Sequence, residues 1–271
     1  MSGHRYARQI QLLGATGQDR IKATSVAIVG LGGLGFHVVQ QLAYLGVRRY
    51  LLIDGDEIET TNLNRLVGAG PVDVGRKKTE VAEREMHRIE VDADVQSWPV
   101  HFDPSDDLPG LSEVDVLFGC VDEDPVRSAL VGFTSSNKIP YIDLASDVTP
   151  DGEFGGRIVF AVDGKRCLNC VGELDPHALA RAQMTDAQRE ADDTIYGVDR
   201  SALAASGPSV VSVNGVVASL AVTEFMVWVT GLREPRGYIT YRGDLPSVGV
   251  RQDPERDYCH YCMGLWHDGA S

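Results

Sequence analysis

The stretch from Ser25 to Asp54 constrains the fold more than any other. Ser25 to Val29 (SVAIV) is a short, largely β-branched run that stops at Gly30, so it reads as a buried strand. The turn GLGGLG follows, and apolar residues then recur at helical spacing from Leu34 to Leu45. Gly46 closes that helix as a C-cap. Arg49 to Ile53 is the next strand and ends in Asp54. Strand, glycine turn, helix and strand make a βαβ unit, which demands a parallel sheet with helices packed on it.

The chain continues in the same style as far as residue 150. Arg76 to Ile89 spaces its apolar residues as a helix. Asp94 to Val100, Asp115 to Gly119 and Pro140 to Leu144 read as strands, with a helix over Pro125 to Phe133. From Thr149 the texture changes to glycine turns between short strands, which suits an antiparallel segment. Asp175 to Arg200 is polar and Ala-rich, and reads equally as a helix pair or as a crossover loop. Ser209 to Thr230 is a long buried helix, and Gly237 to Arg242 is a strand. The expected architecture is α/β: a Rossmann-like, mostly parallel sheet with helices on both faces, plus a C-terminal antiparallel portion. Residues 1–150 form the nucleotide-binding part. Residues 151–271 carry the crossover, the long helix and the paired cysteines, in one continuous unit.

With 271 residues and 43% hydrophobic content, the chain buries a sizeable core. Its formal net charge of -14 repels phosphate backbones and anionic lipid, so neither nucleic acid nor membrane is an expected partner. The start, MSGHRYARQIQLL, has no apolar signal region, and the apolar run Val210 to Val229 contains Asn214 and Glu224. A core helix in a cytoplasmic protein is therefore expected rather than a membrane span.

The glycine turn also carries chemistry. Gly30, Gly32, Gly33 and Gly35 permit a close backbone approach to phosphate at a helix N-terminus. Asp54 lies about 20 residues on, where an acid binds ribose hydroxyls. Alone, this pattern favours NAD over ATP. The residues that follow favour ATP: Asp56, Asn62, Arg65 and Lys78 come after the second strand, and Asp122 comes after the strand DVLFGC. Carboxyl ends of neighbouring strands converge on the ligand crevice of such a sheet. Cations and Mg²⁺ there suit attack at a phosphorus, not hydride transfer.

RYARQ (Arg5 to Gln9), GLGGLG, DGDEIETTNLNR, VGRKK and CVDEDPVR together resemble the ThiF/HesA/MoeB family, related to the adenylation domains of ubiquitin-activating enzymes. The likeness runs from Arg5 to Cys262. It implies a homodimer that uses ATP and Mg²⁺ to adenylate a C-terminal glycine carboxylate, releasing pyrophosphate. The acceptor so implied is a small ubiquitin-like or sulfur-carrier protein, with a ribosomal peptide as the alternative. By resemblance, Asp54 binds ribose, and Asp56 lies near nucleotide or metal. Asn62, Arg65 and Lys78 contact phosphates, Asp122 binds Mg²⁺, and Arg8 reaches the phosphates of the neighbouring subunit. A carboxylate is already a nucleophile, so the chemistry needs alignment and charge stabilisation rather than a general base.

Cys167/Cys170 and Cys259/Cys262 are two CxxC pairs, whose four thiolates suit a closed, structural Zn²⁺ site tying the tail to the sheet. Four free thiols are the alternative. A disulfide-redox role is disfavoured on the expectation that neither pair opens a helix after a strand. Many relatives use a separate crossover cysteine for thioester or persulfide chemistry, but Asp175 to Ser209 contains none. Cys120, on a buried strand, is expected to be a core residue. The acyl-adenylate is then expected to pass to a separate thiol, amine or sulfur-donor protein. Two readings from other classes are an NAD-dependent oxidoreductase, which leaves Arg65, Lys78 and Asp122 unexplained, and a non-catalytic scaffold.

Overall fold

The structure is a computed structural model that describes residues 5–149, 151–162, 164–185, 188, 208–252 and 258–267. Its first element is a helix absent from the sequence reading, α1 (Ala7–Ala23), broken at Gly14, whose φ is 70°. β1 (Ser25–Val29), α2 (Gly33–Leu45) and β2 (Arg49–Ile53) are the expected βαβ unit. α3 (Lys78–Ile89) leads to β3 (Asp94–Trp98), and β4 (Val116–Gly119) to α4 (Asp124–Ser136) and β5 (Tyr141–Val148). β6 (Phe154–Ala161), α5 (Leu168–Val171), α6 (Pro176–Ala182), α7 (Val211–Thr230), β7 (Tyr238–Arg242) and β8 (Ser247–Val250) follow, then a π-helical turn, His260–Leu265. β5 runs four residues beyond the expected Leu144, because its second half pairs with β6 as a long antiparallel ladder.

All eight strands belong to one sheet, in the order β3-β2-β1-β4-β5-β6-β7-β8. The first five are parallel and the last three antiparallel. After β3 the chain returns to the far side of β1, so the order reverses between β1 and β4. In open α/β sheets a reversal of this kind is where the ligand crevice lies, beyond the carboxyl ends of the two strands.

β1, β2 and β4 are buried on both faces apart from the first residues of β1 and β2, which explains why these strands read as continuous apolar runs rather than alternating ones. Val26 and Ile28 of β1 enter one core with α2 and α7, while Ala27 and Val29 enter the other with Leu130 and Val131 of α4. α7 is the one described helix long and apolar enough to cross a membrane; here it packs on the sheet. Phe225 meets Phe118 at 5.7 Å, and Trp228 meets Phe160 at 5.6 Å. Its buried acid is satisfied: Glu224 accepts two hydrogen bonds from Arg233, at 2.7 and 2.8 Å, and one from the Arg236 N–H. Of the ambiguous stretch Asp175 to Arg200, Pro176–Ala182 is helical, with Asp175 as a side-chain N-cap. Most of the remainder lies outside the described residues.

Candidate active site

The glycine turn joins β1 to α2 at the reversal point. Gly35 enters the first turn of α2 so close to Gly30 that a Cβ on it would lie 2.1 Å from the Gly30 carbonyl oxygen. Gly30 itself has φ 89°, a conformation that favours glycine. Gly32 is the N-cap of α2 and supplies no side-chain hydrogen bond. The first N–H groups of the helix therefore face the crevice with the positive end of its dipole, an arrangement suited to an anion.

Asp54 ties this turn to the end of β2. Its carboxylate accepts the Leu31 N–H at 2.6 Å and the Asp56 N–H at 2.8 Å. Burial raises its pKa, and outweighs the pull of Lys78, 3.9 Å away, and of the two N–H groups. Asp56 is also partly desolvated, but the Lys78 ammonium at 2.6 Å brings its carboxyl below the usual value. Lys78 is thus buried between two acids at the start of α3, so its phosphate role would require it to loosen from Asp56. His101 stands over Gly55, with its Nε2 3.8 Å from Asp56.

Between β2 and α3, Asn62 ends a 3₁₀ turn, Thr60–Asn62, and Arg65 lies in the turn just after it. Asn62 is buried, and its side-chain oxygen accepts the Glu59 N–H at 3.2 Å, which makes it a local brace. Arg65 holds the Thr61 carbonyl at 2.7 Å, and its Cδ lies 3.4 Å from where a Gly33 Cβ would stand. Asn214, at the start of α7, approaches the same glycine even more closely, with its Nδ2 2.2 Å from that position. Ser146 of β5 donates to its Oδ1 at 2.8 Å. Sequence reading treated Asn214 only as a polar residue in an apolar helix; nothing local signals that α7 returns to the glycine turn.

Asp122 follows β4 on the opposite lip of the crevice. It is exposed and makes no hydrogen bond or ion pair among the described residues. A free carboxylate of this kind is a donor that suits Mg²⁺. Arg8 is exposed on α1 and is likewise unpaired among the described residues. Cys120 is buried beneath Gly30 and Gly35, where burial, then the Asp143 charge, push its thiol well above the ordinary value. A buried thiol with a raised pKa is poorly placed to act as a nucleophile.

The paired cysteines form a separate site on the other face. Sγ–Sγ separations are 3.6 Å for Cys167–Cys259 and 3.7 Å for Cys167–Cys170 and Cys170–Cys262. These are too long for a disulfide. With Zn–S near 2.3 Å, the edge of a tetrahedron is about 3.75 Å, so the four sulfurs fit a metal of that kind. Hydrogen bonding within the cluster lowers the Cys262 thiol and raises that of Cys167. Contrary to the expectation that neither pair opens a helix, Cys167 is the N-cap of a short helix, α5, after β6, and Cys259 is the N-cap of the π-helical turn His260–Leu265. Gly172, left-handed, ends α5 as its C-cap, and Cys170 lies among the other three cysteines.

Comparison with known proteins bears on the family and the fold. The sulfur carrier protein adenylyltransferase of Thermus thermophilus is 36% identical over 125 residues, 45% of this chain and 46% of that protein. The molybdopterin-synthase adenylyltransferase of Escherichia coli is 32% identical over 173 residues, 63% of this chain and 68% of that protein. Among solved structures, E. coli MccB with AMPCPP and MccA superposes with a TM-score of 0.76 at 26% identity, covering 97% of this chain and 75% of MccB. This chain thus spans less than half of the Thermus protein and about two thirds of the E. coli adenylyltransferase. Residues 6–255 match the ThiF family, and the chain belongs to that family.

Proposed function

We propose that this protein binds ATP in the crevice between β1 and β4 and adenylates the C-terminal carboxylate of a small ubiquitin-like or sulfur-carrier protein, releasing pyrophosphate. The observation that supports this reading is that the open α2 N-terminus, the Asp54–Lys78–Asp56 cluster and the unpaired Asp122 follow the carboxyl ends of three adjacent parallel strands, β1, β2 and β4. Asp54, already fixed by two N–H groups, presents its remaining lone pairs to ribose hydroxyls. The glycine turn and Arg65 hold phosphate oxygens, with Lys78 joining them when a phosphate competes with Asp56 for its ammonium. Asp122 would hold Mg²⁺, which when bound offsets negative charge on the phosphate oxygens. The acceptor's carboxylate attacks the α-phosphorus, and pyrophosphate leaves with the electron pair of the broken P–O bond. Arg8 completes the site from a second copy of the chain in a homodimer.

The four cysteines would hold Zn²⁺, which when bound fixes the tail against α5 and leaves no open position for chemistry. With Cys120 buried and no cysteine in Asp175 to Ser209, the acyl-adenylate passes to a separate thiol, amine or sulfur donor. A peptide acceptor is the second reading. It is favoured by the structural match to MccB, which extends over 97% of the chain.

The test is ATP–pyrophosphate exchange with carriers ending in glycine and with short peptides as acceptors, following calorimetric ATP binding with and without Mg²⁺. Acceptor-dependent exchange that Asp122→Ala abolishes is the expected result. Binding of NAD but not ATP would overturn the reading.

A further inference from the structure

A single exposed aspartate on a loop is a poor cation ligand unless its backbone is fixed, because Mg²⁺ demands near-ideal octahedral geometry. A side chain of α4 braces the β4–α4 loop. Arg127, on the first turns of α4, folds back along the loop: Nη2 donates to the Val121 carbonyl at 2.9 Å, and Nη1 to Asp124 Oδ1 at 2.8 Å. These contacts grip the chain on either side of Asp122. The guanidinium rests against Asp143 of β5, whose Oδ1 lies 3.7 Å from Nε and whose side chain is wholly buried. Asp143 is held in turn by the Tyr141 hydroxyl at 2.8 Å and by Arg157 of β6. Asp124 is gripped from a second direction, since its Oδ2 accepts the Asp175 N–H at 2.8 Å, just beyond the Cys167/Cys170 turn.

We infer that Arg127 is a positioning residue for the metal-binding step: anchored on buried Asp143, it clamps Val121 and Asp124 so that the Asp122 carboxylate is presented to Mg²⁺ in one place. The inference rests on the reading of Asp122 as the magnesium ligand. Arg127 does not reach the nucleotide itself. Its side chain is only 12% exposed; Nη1 and Nη2 are hydrogen-bonded within the protein, and Nε is buried without a hydrogen-bond partner, 3.7 Å from Asp143. The role needs a planar fork with two parallel reaches, which the point charge of a lysine does not reproduce.

The experiment is a Mg²⁺ titration of ATP binding on the full chain, with ATP affinity also measured without Mg²⁺. The variants are Arg127→Lys, Arg127→Gln, Asp124→Ala and Asp122→Asn. Asp124→Ala keeps the buried Arg127–Asp143 pair, so it tests the clamp even where an Arg127 variant folds poorly. The expected result is a rise of about tenfold or more in half-saturating Mg²⁺ for the clamp variants, the usual effect of removing a group that orients a metal ligand, with Mg²⁺-free ATP affinity unchanged. Asp122→Asn should show at least the same shift. If Asp122→Asn shifts the titration and the clamp variants do not, the inference is wrong while the Asp122 reading stands. If Asp122→Asn leaves it unmoved, the ligand assignment itself fails, and the inference with it. Equal losses of ATP affinity with and without Mg²⁺ in the clamp variants would make Arg127 a purely structural residue.

Discussion

Replacing Gly35 with alanine sets a Cβ 2.1 Å from the Gly30 carbonyl oxygen, whereas an ordinary C···O contact is about 3.3 Å. The α2 N-terminus and the glycine turn must then separate by about 1.2 Å, the shortfall from that contact distance. The obstacle is backbone, so no rotamer change relieves it. Overpacking of this kind costs about 3 kcal/mol at the upper end, and alanine's better helix propensity returns about 1 kcal/mol, which leaves a net loss of about 2 kcal/mol. Gly32 is the contrast. A Cβ there meets nothing within 4 Å, so Gly32→Ala should lose only about 0.5 kcal/mol of stability as a poorer N-cap. Its methyl, however, stands in the open ground ahead of the helix. Losing one charge-assisted hydrogen bond to phosphate there lowers ATP affinity about tenfold. Gly33 lies between these cases, because its obstacle is the Asn214 side chain, so Asn214→Ala should recover about 1 kcal/mol of the Gly33→Ala loss. Urea unfolding gives the stabilities, and calorimetry with ATP gives the affinities. Equal destabilisation by Gly32→Ala and Gly35→Ala would refute the packing argument. Wild-type ATP affinity in Gly32→Ala would remove the helix N-terminus from the phosphate site.

Asp54 has a folded-state pKa raised above 3.8, so the native protein binds its proton more tightly than the unfolded chain. Its contribution to stability therefore falls as pH rises from 3.8 through the raised value and is constant above it; urea midpoints across that range should show this component in the wild type and lose it in Asp54→Asn. Glu224→Ala removes a buried acid and its hydrogen bonds but leaves Arg233 free to regain water, so it should cost about 2 kcal/mol, read as a lower unfolding free energy. Cys170→Ser, or chelation, should lower bound metal in elemental analysis. Hydrogen exchange should quicken around residues 167–170 and 258–267 while staying slow in β1; unchanged exchange in the tail would mean that no metal ties it down.

The βαβ unit, the parallel sheet and the long core helix were legible in the sequence because each is written in local periodicity: a β-branched run, a glycine turn, apolar residues at helical spacing. The CxxC pairs were legible because ligand spacing is local too. α1 was not, since its amphipathic pattern is interrupted by Gly14, and its buried contacts, Tyr6 with Glu90 and Gln18 with the Leu45 carbonyl, come from far along the chain. The site divides the same way. Gly30 to Gly35, Asp54 and Asp122 announce themselves by their place at strand ends. Only the tertiary structure could show that Lys78 is already held by Asp56, that Asn62 braces its own turn, that Asn214 closes on Gly33, and that Arg127 reaches from buried Asp143 to grip the loop of Asp122. The physical reason is the range of the interactions. Periodicity and turn chemistry act between neighbours in sequence. The partners of a buried charge are chosen by which strands and helices meet once the sheet has closed around it.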